Sequence, residues 1–394
     1  VVGAGVGGLA AAGALARAGW QVTLLERGDR LRGNGAALLL WPNGVAALQA
    51  LGLSLGDIAF PMMAGGIRRP DGRWLVEPDP AAADEAVVVV HADDLHDTLM
   101  AGLGEKIEIR TGVDISAVRP GSAGGPAVGT GKHTFEADLV VAADGGRSVI
   151  RRRLAPQSAL VSAGYTTWRA VIPWYRVPKL PDNLPPAGEM LGAGQRFLHA
   201  ALGDRGNSGG SSRGGIYWAA TAPGAMRPEP AATQLSLLRR WFADWQSPVR
   251  ELLEATEPDD LVQQGGEDLR PLPRRFGFPT GTGGFVLLGD AAHVSTPVLT
   301  QGACLAFEDA ATLGALMRSA EPGTLLHAAL DGYTMARRTR VARVAKTSRR
   351  LGLVLQAQGR LAVRARDVAL GRLPPRLLDR ASTSTHTWTP PPPP

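Results

Sequence analysis

Two hydrophobic rhythms divide the chain. Over the first 160 residues or so, short apolar runs alternate with helical patterns, as when strands and helices take turns. Residues 1–35 read as strand, glycine-rich turn, helix and strand. Leu9, Ala10, Ala14 and Leu15 share one helical face, Gly13 and Gly19 are its weak points, and residues 21–25 are a short apolar strand. Trp41-Pro42-Asn43-Gly44 reads as a turn leading into a small-residue helix that runs to Leu51. Residues 65–76 predict a strand pair turning at Pro70-Asp71-Gly72, and residues 85–90 a further strand. Leu95, Leu99 and Leu103 recur at helical spacing and predict a helix over 93–103. The Gly/Pro-rich stretch 120–131 is expected to be a long hairpin loop, and residues 139–143 another buried strand.

From residue 164 to 220 aromatic and polar positions alternate among many prolines, which predicts an antiparallel sheet in a second domain. Inside it, residues 203–215 read as a Gly/Ser-rich loop and are expected to be flexible. Residues 285–288 form a strand that returns to the first domain, and 303–317 a helix. After residue 325 the chain reads as helical and Arg-rich to about residue 370, and the proline run 390–394 as an extended, solvated tail. There is no internal repeat. The expected fold is α/β: a nucleotide-binding domain of residues 1–65, 91–160 and 268–345, an antiparallel-sheet domain of 66–90 and 161–267, and C-terminal helices with a Pro-rich tail over 346–394. The chain opens at Val1-Val2-Gly3, inside the first strand, so a few further residues are expected ahead of it.

Composition narrows the picture. A hydrophobic content of 44% supports a sizeable core, and 20% charged residues argue against disorder of the whole chain. The net charge of +6 raises nucleic-acid binding. The basic residues are dispersed, however, and no basic run interleaves with aromatics, so no nucleic-acid partner is expected. A mildly positive field suits an anionic cofactor or substrate equally well. The single cysteine, Cys304, forbids an internal disulfide. With no apolar stretch of spanning length and no leader visible, a cytoplasmic protein without a membrane span is expected.

Three motifs carry chemistry. The first, Gly3-Ala4-Gly5-Val6-Gly7-Gly8, follows a strand and opens a helix. Gly3 permits the tight turn, Gly5 lets the backbone approach a pyrophosphate, and Gly8 allows helix to pack on strand. The helix N-terminus supplies amides and partial positive charge to phosphates. Glu26 ends the second strand about twenty residues on, where a carboxylate accepts from ribose hydroxyls. The second motif is Asp144-Gly145-Gly146-Arg147-Ser148-Val149-Ile150-Arg151. The third is Gly289-Asp290-Ala291-Ala292-His293, continuing through Ser295-Thr296-Pro297 to Gln301-Gly302 and Glu308-Asp309-Ala310. Each is a strand ending in an acid beside glycine, at the edge where ligands bind in open α/β sheets. Read singly, Asp144 and Asp290 could equally be helix caps.

Together and in this order, the three motifs resemble the single-component FAD-dependent aromatic hydroxylases, over residues 1 to about 345. A fourth match, Gly35-Ala36-Ala37-Leu38-Leu39-Leu40-Trp41-Pro42-Asn43-Gly44, is similar to the subgroup of salicylate and urate hydroxylases and zeaxanthin-epoxidase-like enzymes. The resemblance implies a Rossmann-like FAD-binding domain and a cofactor-binding set of Gly3, Gly5, Val6, Gly7, Gly8, Glu26, Arg27, Gly35, Ala36, Asp144, Gly145, Gly289, Asp290, Pro297, Gln301, Gly302 and Ala303. In it Asp290 would bond the ribitol and residues 297–302 would face the isoalloxazine. It further implies NAD(P)H as co-substrate, O2, and a small aromatic substrate hydroxylated through a flavin C4a-hydroperoxide, in a monomer or homodimer. Two positions depart from the family. Ala92 stands where an Arg reaching the cofactor is usual, which removes a charge-assisted bond of roughly 1.5–3 kcal/mol. Thr300 replaces the first glycine of Gly-Gln-Gly, which restricts the backbone. An epoxidase, halogenase or dehydrogenase on the same frame, or a non-catalytic FAD-binding protein, are the competing readings. Trp168-Arg169-Ala170-Val171-Ile172-Pro173 approaches the halogenase signature Trp-x-Trp-x-Ile-Pro, with Ala170 in place of the second Trp.

The remaining polar residues read as structural. His293 is expected to serve packing or hydrogen bonding. His91 and His96 lack metal-site spacing, so no metal is expected. Cys304 reads as a buried small hydrophobe, and the arginines from 337 to 350 as the wet face of a helix. Tyr217, Trp168, Arg196 and His199 are the pocket candidates of the second domain, no catalytic residue being assigned. Tyr217 and Trp218 must face opposite sides of a strand, and Tyr217 is preferred for the pocket.

Overall fold

The computed structural model describes residues 1–31, 36–62, 65–78, 87–104, 107–121, 124–203, 213–372 and 385–391. Its first layer is a parallel sheet. Strand Val22–Leu25 pairs with Ile107–Arg110, and Leu139–Ala142 pairs with Gly283–Leu287. Val2 bridges the two pairs, in parallel register with both Leu25 and Ala142. The edge strand Gly277–Thr280 is antiparallel. The central strands Leu139–Ala142 and Gly283–Leu287 are almost wholly buried, as expected where both faces are covered, whereas Ile107–Arg110 at the edge alternates and exposes Glu108 and Arg110. Helices Val6–Arg17 and Gly302–Met317 lie on one face, packed so closely that a Cβ on Gly314 would sit 2.8 Å from that of Ala14. The α/β expectation is met, with the strand at 283–287 returning to this sheet.

The second body is a seven-stranded sheet in the order Val262–Arg270, Ala159–Ile172, Ile216–Pro223, Arg196–Ala201, Ala187–Leu191, Ile67–Arg68, Trp74–Val76. Alternation splits its residues between two faces. Trp168, Phe197 and Trp218 point one way, into a core closed by helices Ala231–Trp241 and Val249–Ala255. Tyr217 and Ala200 point the other way, toward the small sheet formed by Ala37–Leu40, Val88–His91 and Ala59–Pro61. Helix Thr324–Leu355 then runs along the first body, and Arg360–Arg372 docks beside Trp74–Val76.

Several local expectations change. Residues 120–131 are not one loop: strand Pro126–Gly129 lies inside them, paired with Ala117–Pro120 and Thr134–Glu136. Its four residues are all buried, so it packs despite its glycine and proline. Val88–His91 pairs with Ala37–Leu40 and Ala59–Pro61 in a small sheet apart from the seven-stranded one. Pro42 begins a helix, Pro42–Ala50, rather than a turn, since proline is favoured in a first helical turn. Most of the Gly/Ser-rich loop, residues 204–212, lies outside the described residues, as do 392–394 of the tail. No helix among the described residues is long and apolar enough to cross a membrane.

Candidate functional site

The motifs converge on the carboxyl edge of the parallel strands. Val2 N–H donates to Val141 O at 2.8 Å and Gly3 N–H to Leu25 O at 2.7 Å, which seats the first turn between its neighbours. Gly3 has φ 100°, and a Cβ there would lie 2.3 Å from the Ala143 oxygen. A Cβ on Gly8 would lie 1.9 Å from the Gly3 oxygen, so helix Val6–Arg17 can approach the first turn this closely only with glycine there. Gly5 differs: a Cβ there would meet nothing within 4 Å, because Gly5 to Gly8 wall a cavity of about 540 Å³. The helix begins with no side-chain cap and no acid in its first turn, so its unpaired amides and positive end face that space. Glu26 accepts from Ala4 N–H at 2.8 Å and Gly28 N–H at 2.9 Å, which fixes the turn and leaves each oxygen a second lone pair.

Gly145, Gly289, Asp290, Pro297, Gly302 and Ala303 line the same cavity. Arg27 is exposed and does not line the cavity, and Gly35 is outside the described residues. Ala36 is buried, its carbonyl accepting from Ala92 N–H at 2.7 Å. Ala92 is itself buried at the start of helix Ala92–Ala101, so this position sends no cation into the cavity. Asp144 is a cap: its Oδ2 accepts from Val149 N–H at 2.9 Å, although its Oδ1 is buried with no partner. Arg151, buried, donates to Gly146 O at 2.5 Å and Ala291 O at 3.1 Å. It thus ties the Asp-Gly turn to the Gly-Asp turn. Asp290 stands in the cavity wall, where desolvation raises its pKa above the usual carboxylate value against the opposing charges of His293, Arg151 and Arg169.

A buried ionic network stands behind this wall. Asp309 accepts from Gly289 N–H at 3.0 Å, from His293 Nε2 at 2.6 Å and from Arg337 Nε at 2.6 Å. Desolvation works against its charge, but His293 and Arg337 outweigh it and hold the carboxyl below its usual range. Glu308 takes Arg337 Nη1 at 2.6 Å, Arg340 Nε at 2.7 Å and Asn43 Nδ2 at 2.7 Å. Arg337 is therefore not on the wet face of its helix; it is 1% exposed. The signal was in the sequence: Tyr333, Arg337, Val341, Val344 and Ser348 keep helical spacing and form the buried stripe. His293 has the structural role expected of it, and Cys304 is buried, its thiol pushed up to about 12 by desolvation.

The turn after Pro297 passes through Thr300, in left-handed conformation with φ 51°. Gln301 is buried, bonded by Asn43 Nδ2 at 2.9 Å. Helix Gly302–Met317 then starts without a side-chain cap or an acidic first turn. Two uncapped helix N-termini therefore open on one cavity.

The seven-stranded sheet forms its far wall. Tyr165, Thr167 and Arg169 alternate on one strand, Tyr217 and Thr221 on the next, and Arg196 on a third, with Leu39, Met62 and Leu198 as apolar contributors. Arg196 is neutralised by Glu189, its Nη2 2.5 Å from Oε1. The Nε of Arg169 and the Oγ1 of Thr167 are buried without partners. Burial pushes the Tyr165 hydroxyl up to about 12. Of the four pocket candidates, Tyr217 and Arg196 reach the cavity. Trp168 points to the opposite face, donating to Gln234 Oε1 at 2.7 Å, and His199 also lies outside, against Pro185 O at 3.1 Å. Both sit on the helix-covered side because strand alternation puts them out of phase with Arg169 and Arg196. Sequence reasoning missed Arg169 and Thr167, which that same alternation pairs with Tyr165. Among the described residues no group of His, Cys, Asp or Glu could hold a metal ion.

The sequence matches the family described as FAD binding domain over residues 1–181 and 275–348. It is similar to the aurachin C monooxygenase/isomerase of Stigmatella aurantiaca, 29% identical over 99% of this chain and 98% of that protein. It is also similar to the 3-amino-4-hydroxybenzoate 2-monooxygenase of Streptomyces cremeus, 32% identical over 89% of this chain and 86% of that protein. The crystal structure of Klebsiella pneumoniae HpxO complexed with FAD and uric acid shares the fold, with a TM-score of 0.79 at 25% identity, covering 98% of this chain and 95% of that one.

Proposed function

The chain belongs to the FAD-binding-domain family, and from that premise we propose that it is an FAD-dependent monooxygenase that uses NAD(P)H and dioxygen to hydroxylate a small aromatic substrate. The observation that supports this most is the single cavity that opens on two uncapped helix N-termini at one side and on a mixed polar and apolar sheet face at the other. The residues present suit FAD. Gly5 leaves open space where a side chain would stand, and the amides of Gly7 and Gly8 with the helix end would receive the diphosphate. Glu26 has lone pairs to spare for the adenosine ribose, Asp290 would take the ribitol, and residues 297–302 the ring.

When bound, FAD would supply hydride acceptance from NAD(P)H and the activation of dioxygen. The chain's own contribution is binding, orientation and exclusion of water. The positive end of helix Gly302–Met317 favours negative charge in the ring pocket. Arg169 lines the cavity, and its guanidinium would suit it to hold a phenol-type oxygen of the substrate and to favour loss of its proton. Tyr217 would line the substrate's other side, and Leu39, Met62 and Leu198 keep water from the reacting carbon.

The test is a visible spectrum after desalting, followed by NAD(P)H oxidation and product analysis across aromatic substrates. A retained flavin spectrum and a substrate-dependent oxygenated product are expected. With that substrate, Arg169→Ala should lower kcat/KM by about 10- to 100-fold, the loss of a charge-assisted bond. A protein that takes up no flavin, even with FAD added, would sink the reading.

A further inference from the structure

Thr300 is the one non-glycine residue with a positive φ among the described residues. A β-branched side chain resists that conformation, so something must hold it. Trp41 Nε1 donates to Thr300 Oγ1 at 2.8 Å, and that hydroxyl donates to Leu299 O at 2.8 Å. The next residue, Gln301, is held from the same short segment, through Asn43 at 2.9 Å. Asn43 also bonds Glu308, which Arg340 bonds as well, and Arg340 donates onward to Thr385 O at 3.0 Å. Beside Thr385, the ring of His386 stacks on Trp41, with centroids 5.2 Å apart and planes 26° apart. Trp388 packs against the main core. Residues 385–391 thereby close a ring of contacts behind residues 41–43 and 300–301, while Trp41 and Thr300 themselves line the cavity.

We propose that Trp41 is a positioning residue for the turn 297–302: its indole N–H holds Thr300 in the left-handed conformation, and the C-terminal segment 385–391 clamps the indole from behind. This rests on the reading that the turn faces the ring of FAD. It gives the Thr300 departure a counterpart, since a glycine there would need no such brace. It also makes the geometry of the ring pocket depend on a segment some 85 residues further along the chain.

A double-mutant cycle in the full chain separates this role from general packing. Trp41→Phe keeps a stacking surface for His386 and removes the donor; Thr300→Gly removes the need for it. The readouts are FAD affinity by fluorescence quenching and the visible circular dichroism of the bound flavin. Trp41→Phe should weaken FAD binding about fivefold and change the flavin dichroism, whereas in the Thr300→Gly background the same change should cost less than about twofold. Deleting residues 385–394 should reproduce the Trp41→Phe dichroism, and Thr300→Gly should restore it. Equal effects of Trp41→Phe in both backgrounds, or an unaltered flavin spectrum, would overturn the proposal while leaving FAD binding intact. If the unaltered chain takes up no FAD, the functional reading falls, and this proposal with it.

Discussion

His199 shows at the residue scale how one step along a strand separates chemistry from structure. Arg196 and Leu198 reach the cavity, while His199 points to the other face and is 4% exposed. Burial lowers its pKa to about 4, the hydrogen bond to Pro185 O opposing and the charge of Arg68 assisting. The folded protein therefore binds fewer protons than the unfolded chain below the ordinary histidine value of about 6.5. Stability is complete above that value and falls as pH drops from about 6.5 toward 4, with about 2 kcal/mol gone at pH 5. His199→Gln keeps a donor for Pro185 and cannot titrate. Its melting temperature should fall less between pH 7.5 and pH 5 than that of the unaltered chain. Parallel pH profiles for the two proteins would show that His199 does not control acid stability. The same alternation was legible in the sequence for Tyr217 against Trp218. It did not rank Trp168 against Arg169, because a period of two fixes which residues share a face and leaves open which face meets the cavity.

At the scale of elements, helix ends and helix stripes decide the site. The glycine turn, Glu26 and the two acid-glycine turns could be read directly, since each follows a strand and backbone conformation restricts the residue type. What could not be read was how the buried charges behind them pair. The pair Glu308-Asp309 lies in an otherwise apolar helix, and Arg337 in an Arg-rich one, and only their packing shows that they neutralise each other. Both carboxylates and the guanidinium are almost wholly excluded from water. Removing one partner of such a set leaves a buried charge short of donors, which typically costs about 3–5 kcal/mol. Arg337→Leu should therefore lower the unfolding free energy of the apoprotein by that order, measured in urea. It should also loosen the Gly289 turn, since Asp309 holds that amide. A loss below about 1 kcal/mol would mean that Arg340, His293 and the backbone suffice, and that the network does not depend on Arg337.

At the scale of the whole molecule, the cavity joins two bodies whose cores are separate. The parallel-sheet body has its own large core, and the seven-stranded sheet packs its aromatic face on its own helices. A ligand that fills the cavity touches both, whereas one that reaches only the glycine turn touches the first. Ligand binding stabilises the folded state by an amount set by concentration over Kd, about 2.7 kcal/mol at a hundredfold excess. ADP carries the part of FAD that the Gly3–Gly8 turn and Glu26 would hold, and lacks the ring that residues 297–302 and the sheet would hold. At equal concentration FAD should raise the melting temperature well beyond ADP, and the excess should shrink in Thr167→Val and Arg169→Ala, which line the cavity. Equal shifts from ADP and FAD would mean that only the first body grips the cofactor. The sheet face would then be free to bind a partner other than the flavin ring, and the monooxygenase reading would lose its second wall.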